Sequence, residues 1–143
     1  MTKYYGIGTW WGNCKPHQKF DKFINEEKAY IHALPNKLTQ RENNNRIRFQ
    51  DIFKTIEVKD VIYLKSFNRR GYLLRIRAVG KVIKIDKVRE NEGIFCVKVD
   101  YKPNHDINGI IDDIHFGDIK RDERIYQETN QELIHIINEL LHE

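Results

Sequence analysis

Residues 60–101 read DVIYLKSFNRRGYLLRIRAVGKVIKIDKVRENEGIFCVKVDY. Apolar residues recur there at about every second position, the period at which a β-strand turns alternate side chains to one face. Asp60–Ser66 predicts one strand, Tyr72–Ile85 a long strand or a pair, and Ile94–Tyr101 a third. Gly80 marks a bend or bulge in the middle segment. Asn91-Glu92-Gly93 supplies the turn before the third strand. With no crossover helix between them, the three strands should pair antiparallel.

Working outward, Lys3–Thr9 (KYYGIGT) predicts a first strand that runs into a tight loop at Thr9-Trp10-Trp11-Gly12-Asn13. Phe20, Phe23, Ile24 and Glu27 have helical spacing. Lys28–Leu34 fits either a continuation of that helix or a short strand, and Pro35 ends it. Residues 36–48 are polar and Asn-rich, which predicts a surface loop. Phe49, Ile52, Phe53 and Ile56 form the stripe of a two-turn helix. Ile107–Phe116 is a candidate strand around Gly109. Leu133, Ile136, Ile137, Leu140 and Leu141 line a final helix over about 123–142, capped by Asp122 or Thr129. The expectation is an α+β fold: five to six short, mostly antiparallel strands in a small curved sheet or partly closed barrel, with peripheral helices.

The chain has 143 residues, enough for one domain (1–143) that needs no disulfide or metal to fold. No apolar run is long enough for a transmembrane helix, and no signal peptide is visible. Cys14 and Cys96 have no metal-ligand spacing, and a cytoplasmic location with reduced thiols is expected, Cys96 as a small core residue. The charge is uneven. Between Lys65 and Arg89 nine Lys/Arg stand against one acid, Asp86; between Asn104 and Glu143 ten acids stand against three bases. A basic block of that density attracts polyanions, and it also fits a solvated face neutralised across the fold.

Enzyme signatures are mostly absent: there is no GxGxxG, P-loop or GxSxG. His105, Asp106, Asp112, Asp113 and His115 could hold a divalent cation if they converged, which would make a metal-dependent hydrolase; a solvated acidic strand edge is the simpler reading. No cofactor is implied. Trp10-Trp11 lies between glycines after the first strand, where an indole serves either as a core plug or as a pocket wall for a flat ligand. Adjacent extended residues point to opposite sides, so at most one of the two should face a ligand. Lys65-Ser66-Phe67-Asn68-Arg69-Arg70-Gly71 reads as a hairpin. It offers a hydroxyl, an aromatic, an amide and two guanidiniums, which suit the edge and face of a base and a phosphate.

KYYGIGTWWG, then FDKFI, then FQDIFKTIEVKDVIYLKSFNRRGYLLRIRAVGKV resembles the PUA-like domains of the EVE and YTH group. The likeness is nearest to the N-terminal specificity domains of McrB-type modification-dependent restriction proteins and covers roughly residues 1–101. The family strand K-x-G-D-x-(I/V)-x-(I/L)-K-S has its counterpart in Val58–Ser66, and I-x-A-(I/V)-G-x-V in Ile76–Val82. Lys59 departs from the pattern by standing where the family has Gly before Asp60.

The resemblance implies a PUA-like barrel that accepts one flipped-out, often modified, base in an aromatic-walled pocket beside a basic surface. On that expectation Trp10 or Trp11 stacks on the base, and Thr9, Ser66 and Asn68 meet its edge. Phe67 is a second wall, and Lys65, Arg69, Arg70 and Arg75 meet phosphates. Asp60 shapes the turn before its strand. The expected partner is DNA with a modified base, or RNA, with a separate effector or nuclease chain since this chain has no room for one. The rival from another class is a protein-interaction factor of defence or anti-defence type, using the charge asymmetry for docking.

Overall fold

The structure, a computed structural model, describes residues 1–8, 16–31, 40–68, 73–86, 95–102, 112–115 and 124–142. Side chains at 16–20, 40–46, 67, 68, 73, 95 and 112–115 are outside that description. The elements in order are β1 (Tyr4–Gly8), α1 (Pro16–Glu26), β2 (Lys28–Ile31), α2 (Gln40–Phe53), β3 (Val61–Asn68), β4 (Leu73–Asp86), β5 (Phe95–Tyr101), β6 (Asp112–His115), β7 (Ile125–Glu128) and α3 (Gln131–His142).

All seven strands belong to one mixed sheet, ordered β2-β5-β4-β3-β1-β7, with β6 paired to β4. The β3-β4-β5 meander is antiparallel as its spacing predicts, and β1 joins β3 in parallel. Along the edge of β4 opposite β3, β6 holds Leu73–Ile76 and β5 holds Gly80–Asp86. Those two short strands continue one line, with residues 103–111 between them outside the described residues. Among the described residues no ladder joins β2 to β7, so the barrel closure expected from sequence is not part of the described sheet.

The sheet is buried on one face throughout, and on the other over β3, β7 and the first half of β4. On one, Tyr5, Ile7, Ile62, Leu64, Ala78, Val82, Val97 and Val99 pack with Phe23 of α1 and Phe53 and Ile56 at the end of α2. On the other, Val61, Tyr63, Leu74, Ile76, Val79 and Tyr126 pack with Leu133, Ile137 and Leu141 of α3. Burying apolar area at about 25 cal/mol per Å² is the main drive for this three-layer arrangement.

Several boundaries differ from the sequence reading. α2 begins at Gln40, inside the polar stretch read as loop, because helical propensity of Gln, Arg and Glu needs no apolar face to start. Lys28–Ile31 resolves as strand, and the backbone reverses just before it at Glu27, whose φ is 52°. Residues 125–128 form β7 rather than the start of the last helix, and Asn130 is the cap, its Oδ1 accepting from the Leu133 amide at 3.0 Å. Gly80 is neither bend nor bulge. It pairs with Ile62 on one side and Tyr101 on the other, and a Cβ there would lie 2.6 Å from the Asp100 carbonyl oxygen. The register irregularities flank it, between Leu64 and Lys65 against β4 and between Val82 and Lys84 against β5.

Asp60 shapes the turn before β3 as expected. It is 2% exposed; Oδ1 accepts from the Lys3 amide at 3.0 Å and Oδ2 from the Glu57 amide at 2.8 Å. Lys3 Nζ stands 3.6 Å from the same carboxylate. Burial lowers the Lys3 pKa, but Tyr5, Asp60 and Glu57 together raise it above the usual lysine value. Lys59 has φ 79°, the left-handed region that favours glycine. The turn therefore keeps a geometry suited to the family's Gly although the residue is Lys.

Gly6 makes the closest approach in the centre of the sheet. A Cβ there would lie 2.7 Å from Tyr126 Cζ and 2.8 Å from Tyr63 Cζ. Gly6→Ala is therefore expected to cost about 2–3 kcal/mol by overpacking, read by chemical denaturation; a change within about 0.5 kcal/mol would contradict the crossing described below. Lys59→Gly is expected to leave stability unchanged or raise it by up to about 1 kcal/mol, as relief of left-handed strain opposes the glycine entropy cost. A loss above that on the same denaturation curve would argue against the turn geometry.

Candidate functional site

β1 and β3 run side by side in parallel, and the hairpin partner β4 begins where β3 ends. Gly8 pairs with Lys65, Asn68 with Leu73, and Leu73 with His115. The Gly8 amide donates to the Arg124 carbonyl at 2.7 Å. One end of the sheet thus collects the ends of β1, β3 and β6 and the starts of β4 and β7. Thr9, Trp10, Trp11, Arg69 and Arg70 lie outside the described residues, in sequence directly after Gly8 and Asn68.

The hairpin read at residues 65–71 is present as the antiparallel β3-β4 pairing, with residues 69–72 outside the described residues. Lys65 to Asn68 belong to β3, and strand alternation divides them between faces. Ser66 stands in register with Arg75, and both are half-buried on the face of Leu64 and Ala78. Lys65 stands opposite Ile76 on the α3 face. Phe67 and Asn68 follow with Leu74 and Leu73 as partners; their side chains are outside the description.

Lys65 corrects the sequence reading most directly. Its side chain is 3% exposed, so it does not present an outer phosphate contact. The ammonium lies 5.3 Å from the centroid of the Tyr126 ring, a cation–π distance, and beside Gly8. The ammonium is enclosed on the face of Tyr63 and Tyr126, opposite that of Ser66.

Arg77, not singled out from sequence, is 6% exposed. It is the extra residue of β4 where the register with β3 shifts. Burial pulls its pKa below the usual arginine value, the charge of Asp21 on α1 raises it, and Arg75 lowers it. Arg75, Arg77 and Asp21 therefore share one electrostatic neighbourhood. Burial likewise lowers the Arg124 pKa.

Beneath Lys65 runs a buried hydroxyl chain. Tyr63 donates to Glu128 Oε1 at 2.8 Å, and the Tyr63 and Tyr126 oxygens are 2.6 Å apart. With its one proton given to Glu128, Tyr63 must accept from Tyr126. Glu128 Oε2 in turn accepts from the amides of Thr129 and Asn130, both at 3.1 Å. Burial, then the neighbouring Tyr126 and Glu128, push the Tyr63 pKa well above its ordinary value of 10.0.

Of the metal candidates, Asp112, Asp113 and His115 lie on β6, and His105 and Asp106 lie outside the described residues. Asp113 is in register with Arg75. Among the described residues no group of three or more His, Cys, Asp or Glu is placed to hold a metal ion. Cys96 is half-buried, and burial raises its thiol pKa above the usual range. No helix among the described residues is long and apolar enough to cross a membrane.

No protein-family model and no curated protein matches this sequence. Among solved structures, a hypothetical protein from Leishmania major is similar in fold, with a TM-score of 0.52 and 10% identity over 97% of this chain and 94% of that one. At that identity the likeness speaks for the α+β fold alone.

The buried Tyr63 hydroxyl gives a pH dependence. Its raised folded pKa favours the protonated form, so this contribution is present below the unfolded value near 10.0 and is lost as pH rises above it. Wild-type stability is expected to fall between about pH 10 and 11 more steeply than that of Tyr63→Phe, and equal slopes in alkaline denaturation would contradict the network. At neutral pH the Phe variant is expected to lose about 1–3 kcal/mol, because Tyr126 and Glu128 lose a buried partner.

Proposed function

We propose that this chain is a nucleic-acid-binding module of PUA/EVE-like type, which reads a modified base flipped from DNA and performs no chemistry itself. The observation that carries the reading is the pairing of Ser66 with Arg75 on adjacent strands, at the sheet end where β1 stops at Gly8 and the sequence continues into Thr9-Trp10-Trp11. A hydroxyl and a guanidinium side by side suit a base edge and a phosphate. The left-handed Lys59, at the position of the family's glycine, adds support for the resemblance.

In this reading Trp10 or Trp11 stacks on the extruded ring, with Phe67 as a second wall. Thr9, Ser66 and Asn68 contact its edge. Arg69, Arg70 and Arg75 meet the backbone. Lys65, enclosed against the Tyr126 ring on the face opposite Ser66, takes no part in the pocket. Extrusion costs a few kcal/mol, and stacking on an aromatic returns about 1–3 kcal/mol per base. Discrimination must then come from edge contacts. An effector or nuclease would be recruited as a separate chain.

Filter binding with plain and modified duplexes, and with RNA of the same sequence, tests this. Trp→Ala at the stacking position, together with Ser66→Ala, is expected to abolish the preference for the modified base, a loss of about tenfold or more. Salt-dependent binding to plain duplex should remain. Equal loss on both duplexes would remove the pocket from the reading, and binding to RNA alone would change the ligand.

A further inference from the structure

The basic block read from sequence does not form one surface. Of its described members Lys65 and Arg77 are buried and Arg75 is half-buried; Lys81 and Lys84 are exposed, on the later part of β4. Following β4 from Arg75 to Lys84 covers up to about 30 Å of strand, so Lys84 is remote from the base site.

Lys84 is in register with Lys98 of β5, and Lys98 is in register with Lys28 of β2. Three lysines therefore occupy one row across three neighbouring strands, a row about 10 Å long at the usual strand spacing. Residues directly opposite in an antiparallel ladder share a face. Lys84 and Lys98 are exposed there, between the buried Val82 and Val99 on one side and Val97 on the other. Neither makes an ion pair with a described residue, whereas Lys28 stands 3.5 Å from Glu26. The Cys96 thiol, one residue along from Val97, feels both Lys28 and Lys98 as well as Asp86 and Glu26.

Directly opposed like charges destabilise a ladder. An acid at either position would relieve them, and Asp100 shows that β5 takes one on this same face, opposite Lys81. A linear array of cations on rigid strands complements a linear array of anions. A lipid surface would call for a contiguous apolar wedge, and among the described residues of β2, β4 and β5 the exposed large apolar side chain is Ile83 alone.

We propose that Lys28, Lys84 and Lys98 form a phosphate-tracking row for a nucleic-acid backbone, on the outer face of β2-β5-β4 and separate from the base pocket. The proposal rests on the nucleic-acid reading above and extends it to a second contact surface. The row positions the duplex without sequence information, and the sheet end reads the base.

The test is the salt dependence of binding to a plain DNA duplex, measured on the full chain. Each phosphate neutralised contributes about 0.9 to the slope of log K against log salt. The variant K28Q/K84Q/K98Q is expected to flatten that slope by about 2–3 units, while its preference for modified over plain duplex is retained. The variant R48Q/K54Q, which removes two exposed cations from α2 and the turn after it, is expected to change the slope by less than about 1. Circular dichroism of each variant confirms the fold. A wild-type slope in the triple variant, or an equal change in the control, overturns the row and leaves the nucleic-acid reading standing. A wild-type chain that binds no duplex, or that binds anionic vesicles in its place, overturns that reading itself.

Discussion

Two tyrosines cross over a glycine, and much of the molecule is arranged around that crossing. Gly6 sits in β1 between Tyr63 of β3 and Tyr126 of β7, in register with both. With no Cβ in the way, the two rings meet edge to face at 6.2 Å and their hydroxyls join above the bare backbone. Any larger residue would push them apart. The hydrogen bonds then run one way, from Tyr126 to Tyr63 to Glu128. Glu128 uses its second oxygen on the amides that precede α3. The C-terminal helix is thus anchored to the centre of the sheet by a chain of polar groups that is fully buried, and such a chain is costly to leave half-satisfied.

Asp60 does the same at the opposite end of the strands. One carboxylate holds the start of β1 through the Lys3 amide, the turn through the Glu57 amide, and a charge through Lys3 Nζ. The Asp60 carbonyl accepts from Val82, which ties in β4 as well. The frame of β1, β3, β4 and β7 is therefore clamped in the middle and at one end. Its other end is where Gly8, Asn68, Leu73, His115 and Arg124 come together. Strand ends gathered at one side of such a frame are held in fixed positions relative to one another.

Most of the framework was legible in the sequence because strands buried on both faces read as short apolar runs, as in VIYL, and strands exposed on one face alternate, as in VKVD. The helix stripes of Phe49, Ile52, Phe53 and Ile56 and of Leu133, Ile137 and Leu141 were legible through their helical spacing, which marks one buried face. β7 was missed because four residues, IYQE, are too few to show a period, and the strand exists through its pairing to β1. The polar half of α2 was missed because it has no apolar stripe to announce it. The error at the site was of another kind. Lys65 to Gly71 were grouped as one hairpin serving one ligand, and β3 and β4 do pair there, yet alternation divides Lys65 and Ser66 between two faces. Continuing the alternation of Val61–Leu64 would have sent Lys65 to the Tyr63 side and Ser66 to the other. The role of Gly6 was hidden because its reason lies in two tyrosines distant in sequence.

That alternation also changes what the basic block means. Charge counted along a chain says how many cations there are, and strand geometry decides where they act. Here the block divides three ways. Lys65 is enclosed beside Tyr126 on the α3 face. Arg75 stands in register with Ser66 and Asp113, and the buried Arg77 feels the charges of Asp21 and Arg75. Lys84 joins cations from β5 and β2, which the block did not contain, in a row on the outer surface. A polyanion long enough to lie along β4 would meet the outer row by long-range attraction, which salt screens, and the enclosed charges only at contact, where screening is weak. Affinity and discrimination would then respond differently to ionic strength, a separation that a single exposed basic patch could not produce.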